Sequence, residues 1–431
     1  MYDLPILMKT IDDAKALLSD LHLDSRGMYR ELKEVEKLVQ KIIERVMDEG
    51  DTALRDLTEL YDHCSISDFI VPFPELEKAW KQADPEFRQA IQQTIQNVRD
   101  FHHKQIEHSR WFNREQSILG EMITPLDSVA VYVPGGRASY PSSVIMTVVP
   151  AQIAGVKKIL LLTPPNSKGM VAPDVLAVAH HLGINTIVRA GGAQAIAAVA
   201  FGTESIPRVD KVVGPGNIYV TVAKKLLYGV VGIDSLAGPS EVVIIADQSC
   251  QPDWVALDLL AQAEHDPLSR SILFTPCDAV IHEVKNHMEK ELQNHPLAFS
   301  KEVPIHLYQV DNIRTAFEMS NIIAPEHLQV CCEDHFDLLP LIHHAGAIFL
   351  GNLAPVALGD YGYGPNHVLP TLGGSRFSSP LSVRDYLKIS SYIYPQKGDP
   401  TLFYPQYANL AGREGLFYHQ KSLLARINGE G

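Results

Sequence analysis

The chain has 431 residues, 46% hydrophobic and 20% charged, an ordinary globular composition long enough for two or three domains with a large buried core. Its net charge of −14, from 37 basic and 51 acidic residues, has the wrong sign for a general nucleic-acid binder, which displaces counterions with basic surface. No basic segment precedes a long apolar run at the start, and stretches such as Val242–Ala246 are too short to span a bilayer, so a cytoplasmic protein with no signal peptide and no membrane contact is expected.

In chain order, residues 1–25 read as an N-terminal helical segment, and helical character extends to about residue 110. Leu38, Val39, Ile42, Ile43 and Val46 recur at helical spacing before Gly50. Asp84-Pro85 predicts a helix start, with Asp as N-cap and Pro in the first turn. From Ser128 the pattern changes to alternating units: strands at Val129–Val133, Lys158–Thr163, Thr186–Ala190 and Lys211–Val213, each followed by a helix. A second series follows, with strands Glu241–Ala246, Ser271–Thr275 and Ala347–Leu350. Such alternation predicts parallel sheets.

The expected fold is therefore α/β, with two Rossmann-like parallel-sheet domains, one inserted into the other. A glycine-rich domain over 128–236 interrupts a larger discontinuous one over 26–127 plus 237–381, in which the early helices pack with the later βα units. The tail, 382–431, has no alternating pattern. It carries Tyr386, Tyr392, Tyr394, Tyr404, Tyr407 and Tyr418, too apolar for a linker, and is expected to dock, as on a second subunit.

Five cysteines, none in a Cys-x-x-Cys pair, argue against a disulfide framework and a zinc knuckle, so a metal would need His, carboxylate or amide ligands. Three glycine turns follow strands: Pro134-Gly135-Gly136-Arg137, Gly191-Gly192-Ala193-Gln194 and Gly214-Pro215-Gly216-Asn217. Glycine there lets backbone N–H groups approach a phosphate at a helix N-terminus. None is a G-x-G-x-x-G fingerprint, and each alone is equally plain turn chemistry. Gln262 and His265 share a helix face, yet Pro267 also suits a capped helix end. Glu326-His327 joins a carboxylate to an imidazole before an apolar strand, a pairing suited to proton transfer, although the segment alone reads as a polar loop. The loop Gly359–His367 is dense in glycine and aromatics and offers Asp360 and His367 to a metal or substrate. Glu414 and His419 would not be singled out separately.

Together these segments closely resemble the histidinol dehydrogenases. The resemblance rests on VYVPGGRASYPSSV from Val131, RAGGAQAIAA from Arg189, VGPGNIYV from Val213, DSLAGPSEV from Asp234, QAEHDP from Gln262, APEHL from Ala324, the loop Gly359–His367 and REGLFYH from Arg413. It implies oxidation of L-histidinol to L-histidine through histidinal, with two NAD and one zinc ion per subunit. The implied metal ligands are Gln262, His265, Asp360 and His419. Glu326 and His327 match the catalytic pair. Ser240, His367 and Glu414 join Gln262, His265, His327, Asp360 and His419 as substrate contacts, and Tyr132, Gln194 and Asn217 match the NAD positions. The family's homodimer places the tail, with Glu414 and His419, in the other subunit's site. A dehydrogenase for another amino alcohol is the nearest alternative reading. A zinc hydrolase would leave the three glycine turns unexplained. A cysteine-nucleophile mechanism would need Cys331 or Cys332, which lie on the strand beyond the pair.

Overall fold

The computed structural model describes residues 6–10, 17, 21, 25–135, 139–296, 305–396, 399 and 402–428. The chain divides into two compact units, one of residues 1–106 and 126–386, the other of 107–125 and 387–431.

The larger unit holds two parallel sheets. In the first, five strands lie in the order Thr186–Arg189, Lys158–Thr163, Ser128–Tyr132, Lys211–Val213, Gly232–Ile233. The order reverses between Ser128–Tyr132 and Lys211–Val213, so the connections leave these neighbours in opposite directions. A crevice opens at their carboxyl ends, the usual ligand position in such sheets. Two of the helices covering the sheet are apolar on nearly every side. Pro141–Ala154 and Gly192–Phe201 are buried along most of their length, as expected between a sheet and an outer layer.

That outer layer corrects the expected domain partition. The helix Ser25–Glu49 packs on Gly192–Phe201 and Ile218–Leu227, Phe73–Gln82 on Pro173–His181, and Pro85–His103 on Pro141–Ala154. Val39, Ile42 and Val46 share one core with Ala130, Ile196 and Val220. The early helices thus belong with the glycine-rich sheet rather than with the later βα units. Their periodic faces are apolar enough to predict a partner, but periodicity does not say which. Asp84 caps its helix as expected, accepting the amide hydrogens of Glu86 and Phe87 at 2.8 and 3.2 Å, with Pro85 in the first turn.

The second sheet has six parallel strands in the order Ile6–Thr10, Ile305–Gln309, Arg270–Thr275, Glu241–Ala246, His327–Cys331, Ala347–Leu350. Its edge strand Ile6–Thr10 corrects the helical reading for those five residues; Leu17 is helical, and most of the remaining segment lies outside the described residues. Five residues carry too little period to oppose a helical reading, and pairing with Ile305–Gln309 fixes them as a strand.

The smaller unit is an antiparallel sheet that the alternating pattern did not reveal. The hairpin Arg110–Arg114/Ser117–Pro125 turns at Glu115, which takes a left-handed φ of 52°. Leu387–Pro395, in the tail, pairs along the other edge of Ser117–Pro125. Helices Tyr404–Arg413 and Phe417–Asn428 complete the unit.

Candidate active site and cofactor cleft

The helix Ile313–Ile323 stops at Ala324, whose left-handed backbone (φ 54°) directs its amide hydrogen to the Ser320 carbonyl. Pro325 forbids further helix, and the strand begins at His327. This break delivers Glu326 and His327, each 6% exposed, to the amino end of a central strand beside Glu241, which begins the neighbouring strand. Gly346 is required next door, because a Cβ there would lie 2.6 Å from the Glu326 carbonyl oxygen.

The backbone of Glu241 orients both members of the pair. Its N–H donates to Glu326 Oε2 at 3.0 Å, and its carbonyl lies 3.2 Å from His327 Nδ1. Ser240 gives Glu326 a second hydrogen bond. Since a carbonyl only accepts, Nδ1 carries the proton and Nε2 is left as the basic atom. Burial lowers the His327 pKa to about 4, opposed by the Asp360 carboxylate and the Glu241 carbonyl, so the ring is neutral near pH 7. Burial raises Glu326 well above the carboxylate range. The Glu241 amide opposes this, while the Glu241 and Asp360 charges add to it.

The surrounding residues come from two segments. Asp360 ends the short helix Ala357–Asp360, and His367 follows in the same loop with Nδ1 3.1 Å from the Asp360 carbonyl and 3.9 Å from its carboxylate. The charges of His265, Asp360 and His367 all bear on His327. His327, Gly359, Asn366 and His367 line one cavity of about 840 Å³. Gln262 is buried near the end of helix Pro252–Ala263, and its side-chain Nε2 has no hydrogen-bond partner among the described residues, while His265 is exposed just beyond.

The amide oxygen of Gln262, the imidazole of His265 and the carboxylate of Asp360 are donor types that suit a borderline divalent metal. Among the described residues, no group of three or more His, Cys, Asp and Glu side chains forms a complete metal site. Glu414 and His419 are exposed residues of the smaller unit.

The cofactor-type residues converge at the crevice of the first sheet. Tyr132, Gln194 and Asn217 line a cavity of about 360 Å³ together with Gly135 and Gly192. The Tyr132 hydroxyl accepts the Gly192 N–H at 3.1 Å. The Asn217 side chain caps its helix, accepting the amide hydrogens of Tyr219 and Val220, both at 3.1 Å. Gly214, at φ 109°, has no room for a side chain, because a Cβ would overlap the Tyr132 carbonyl oxygen. Gly136 and Arg137 lie outside the described residues.

Sequence reasoning missed three supporting residues. Buried Lys224 pairs with Asp234 and donates to the Gly214 carbonyl at 3.1 Å, while Asp234 accepts the Gly214 N–H at 2.7 Å. The pair holds the third glycine turn from beneath. Glu241 is the third, a carboxylate 1% exposed, raised to about 7 by burial against the opposing Arg270 charge. Asp234 and Glu241 both lie inside the DSLAGPSEV segment, which was the available signal. The two cysteines near the pair are buried and free. Burial drives both thiols up, Cys332 to about 12, so neither is poised as a thiolate.

Two parallel α/β sheets, one with glycine turns around a cleft and the other with a buried carboxylate–imidazole pair, define an oxidoreductase of the α/β dehydrogenase class. The comparisons narrow this. A sequence model of the Histidinol dehydrogenase family matches residues 26–427. The histidinol dehydrogenase of a Synechococcus species is 47% identical over 399 residues, covering 91% of this chain and 92% of that protein. The Bacillus subtilis histidinol dehydrogenase is 43% identical over 424 residues, covering 97% and 98%. A crystal structure of histidinol dehydrogenase from Elizabethkingia anophelis superposes with a TM-score of 0.88 at 32% identity, covering 99% of each chain. The betaine aldehyde dehydrogenase of Staphylococcus aureus shares the fold alone, with a TM-score of 0.51 at 10% identity over 89% of this chain and 88% of that one. The chain belongs to the histidinol dehydrogenase family.

Proposed function

We propose that the protein oxidises L-histidinol to L-histidine through histidinal, the last step of histidine biosynthesis, with two NAD and one zinc ion per subunit. The observation that carries this reading is a neutral, buried imidazole with its free Nε2 fixed by the Glu241 carbonyl, in one cavity with His367 and within reach of the charges of His265 and Asp360.

His327 takes the alcohol proton on Nε2, and NAD, when bound, would supply the hydride acceptor for each oxidation. The aldehyde stays bound. Glu326, in its ionised form, removes a proton from water as the oxygen adds to the aldehyde carbon, giving the hydrate. Burial disfavours that ionised form, and the donors from Ser240 and Glu241 partly offset it. His327 then releases that first proton to solvent and accepts the proton of a hydrate hydroxyl in the second oxidation. Gln262, His265 and Asp360 would hold the metal with His419 from a second copy of the chain. The ion would orient the substrate's amine and imidazole and offset the Asp360 charge that bears on Glu326. Ser240, His367 and Glu414 complete the substrate contacts, and Tyr132, Gln194 and Asn217 bind NAD.

A homodimer is supported by the smaller unit's surface, where Trp111, Phe112, Ile393, Tyr394, Phe417 and Tyr418 are all exposed in the single chain. No helix among the described residues is long and apolar enough to cross a membrane. The test is metal analysis of purified protein, paired with NADH formation from L-histidinol before chelation, after it and after zinc is restored. Stoichiometric zinc, with activity that falls and returns with it, supports the proposal. Full activity in metal-free protein would contradict it.

A further inference from the structure

The cleft that holds Tyr132, Gln194 and Asn217 also contains Asp62, on a different part of the chain. Asp62 is the last residue of helix Asp51–Asp62. A carboxylate at that end faces the negative pole of the helix, so it contributes nothing as a cap. One of its oxygens, Oδ2, is buried with no hydrogen-bond partner among the described residues. Burial raises its pKa to about 6, against a small opposing effect of His63. Such a group is costly unless a ligand satisfies it. Its charge bears on the Tyr132 hydroxyl, which places it beside the glycine turn at Gly192. Tyr61 and Tyr219, both partly exposed, line the same cleft and offer flat apolar surface. No Lys or Arg is among the described residues lining it.

We infer that Asp62 accepts the hydroxyls of the cofactor's adenosine ribose and sets the preference for NAD over NADP. This rests on the dinucleotide reading given above and adds the residue that discriminates between the two. A carboxylate can accept both hydroxyls of an unmodified ribose diol. A 2′-phosphate removes one donor and brings like charge against the carboxylate, with no cation in the described lining to offset it. The chain thus supplies its acidic ribose acceptor from a helix outside the glycine-rich segment, where spacing from the glycine turns gives no clue to it.

The test is calorimetric titration of the metal-loaded wild type, Asp62→Asn and Asp62→Ser with NAD and with NADP, with thermal midpoints recorded to confirm folding. The expected result is a loss of NAD affinity of about tenfold or more in both variants, with NADP affinity unchanged or higher. If the wild type binds NAD and both folded variants keep its preference, the assignment to Asp62 is overturned while the dinucleotide reading stands. If the wild type binds neither dinucleotide, the dinucleotide reading itself fails. Asp62→Ser keeps the test open should Asp62→Asn not fold.

Discussion

The Nδ1 of His327 lies 3.2 Å from the main-chain carbonyl oxygen of Glu241, while the amide of Glu241 donates to the Glu326 carboxylate at 3.0 Å. One residue's backbone therefore fixes both the tautomer of the imidazole and the orientation of the acid. The base is held by a rigid strand pairing, in which His327 and Val242 are opposite partners. His327→Asn is expected to lower kcat for alcohol oxidation by roughly 10²–10⁴-fold with little change in KM, as loss of a general base does. Steady-state NADH formation measures it. A change confined to KM would assign His327 to substrate binding.

Glu326→Gln separates the two half-reactions. It keeps the shape and removes the base, so histidinal oxidation is expected to slow more than histidinol oxidation. Single-turnover measurements with each substrate check this, and equal slowing would contradict water activation by Glu326.

Cys331 and Cys332 sit in the core behind the pair, with thiols driven up by burial. Replacing both by alanine is expected to leave turnover largely intact and to cost about 1 kcal/mol of stability each. Selective collapse of the second oxidation would point to a thiol intermediate and against the hydrate.

The buried Glu241 side chain carries a pH signature in stability. Its pKa rises from 4.5 to about 7 in the fold, so between those values the folded state holds a proton that the unfolded chain has lost. Its contribution is fully present below pH 4.5 and is lost as pH rises through about 7. Denaturant unfolding of wild type from pH 5 to pH 8 should show this decline, and Glu241→Gln should flatten it. Parallel pH profiles for the two proteins would remove Glu241 as the cause.

The third glycine turn offers a steric test. Gly214 has φ 109° and a neighbour, the Tyr132 carbonyl, that excludes a Cβ, whereas Gly183 has φ 73° and nothing within 4 Å. Gly214→Ala is expected to cost about 2–5 kcal/mol and to weaken NAD binding, and Gly183→Ala only about 1 kcal/mol with binding intact. Denaturant midpoints and NAD titration compare them.

Much of the fold was legible because βα alternation is a local signal. Lys158–Thr163, Lys211–Val213, Glu241–Ala246 and Ala347–Leu350 are strands with the expected limits. Pairing and packing are not local. The edge strand Ile6–Thr10 and the tail strand Leu387–Pro395 exist through partners hundreds of residues away, and the periodic faces of the early helices did not name the sheet they cover. The same holds for the site. Glu326, His327, Asp360 and His367 were singled out through motifs, while Asp62, Asp234 and Glu241 gain meaning from what they touch: a cleft between glycine turns, a glycine amide and the carboxylate–imidazole pair.

The proposed activity is a four-electron oxidation at one site built on Glu326 and His327. Its most direct test is the yield of NADH from limiting L-histidinol with excess NAD, with the product identified in the same sample. Two NADH per histidinol, with L-histidine as the product, are expected. One NADH per histidinol with free aldehyde accumulating, or no NADH at all, would contradict it.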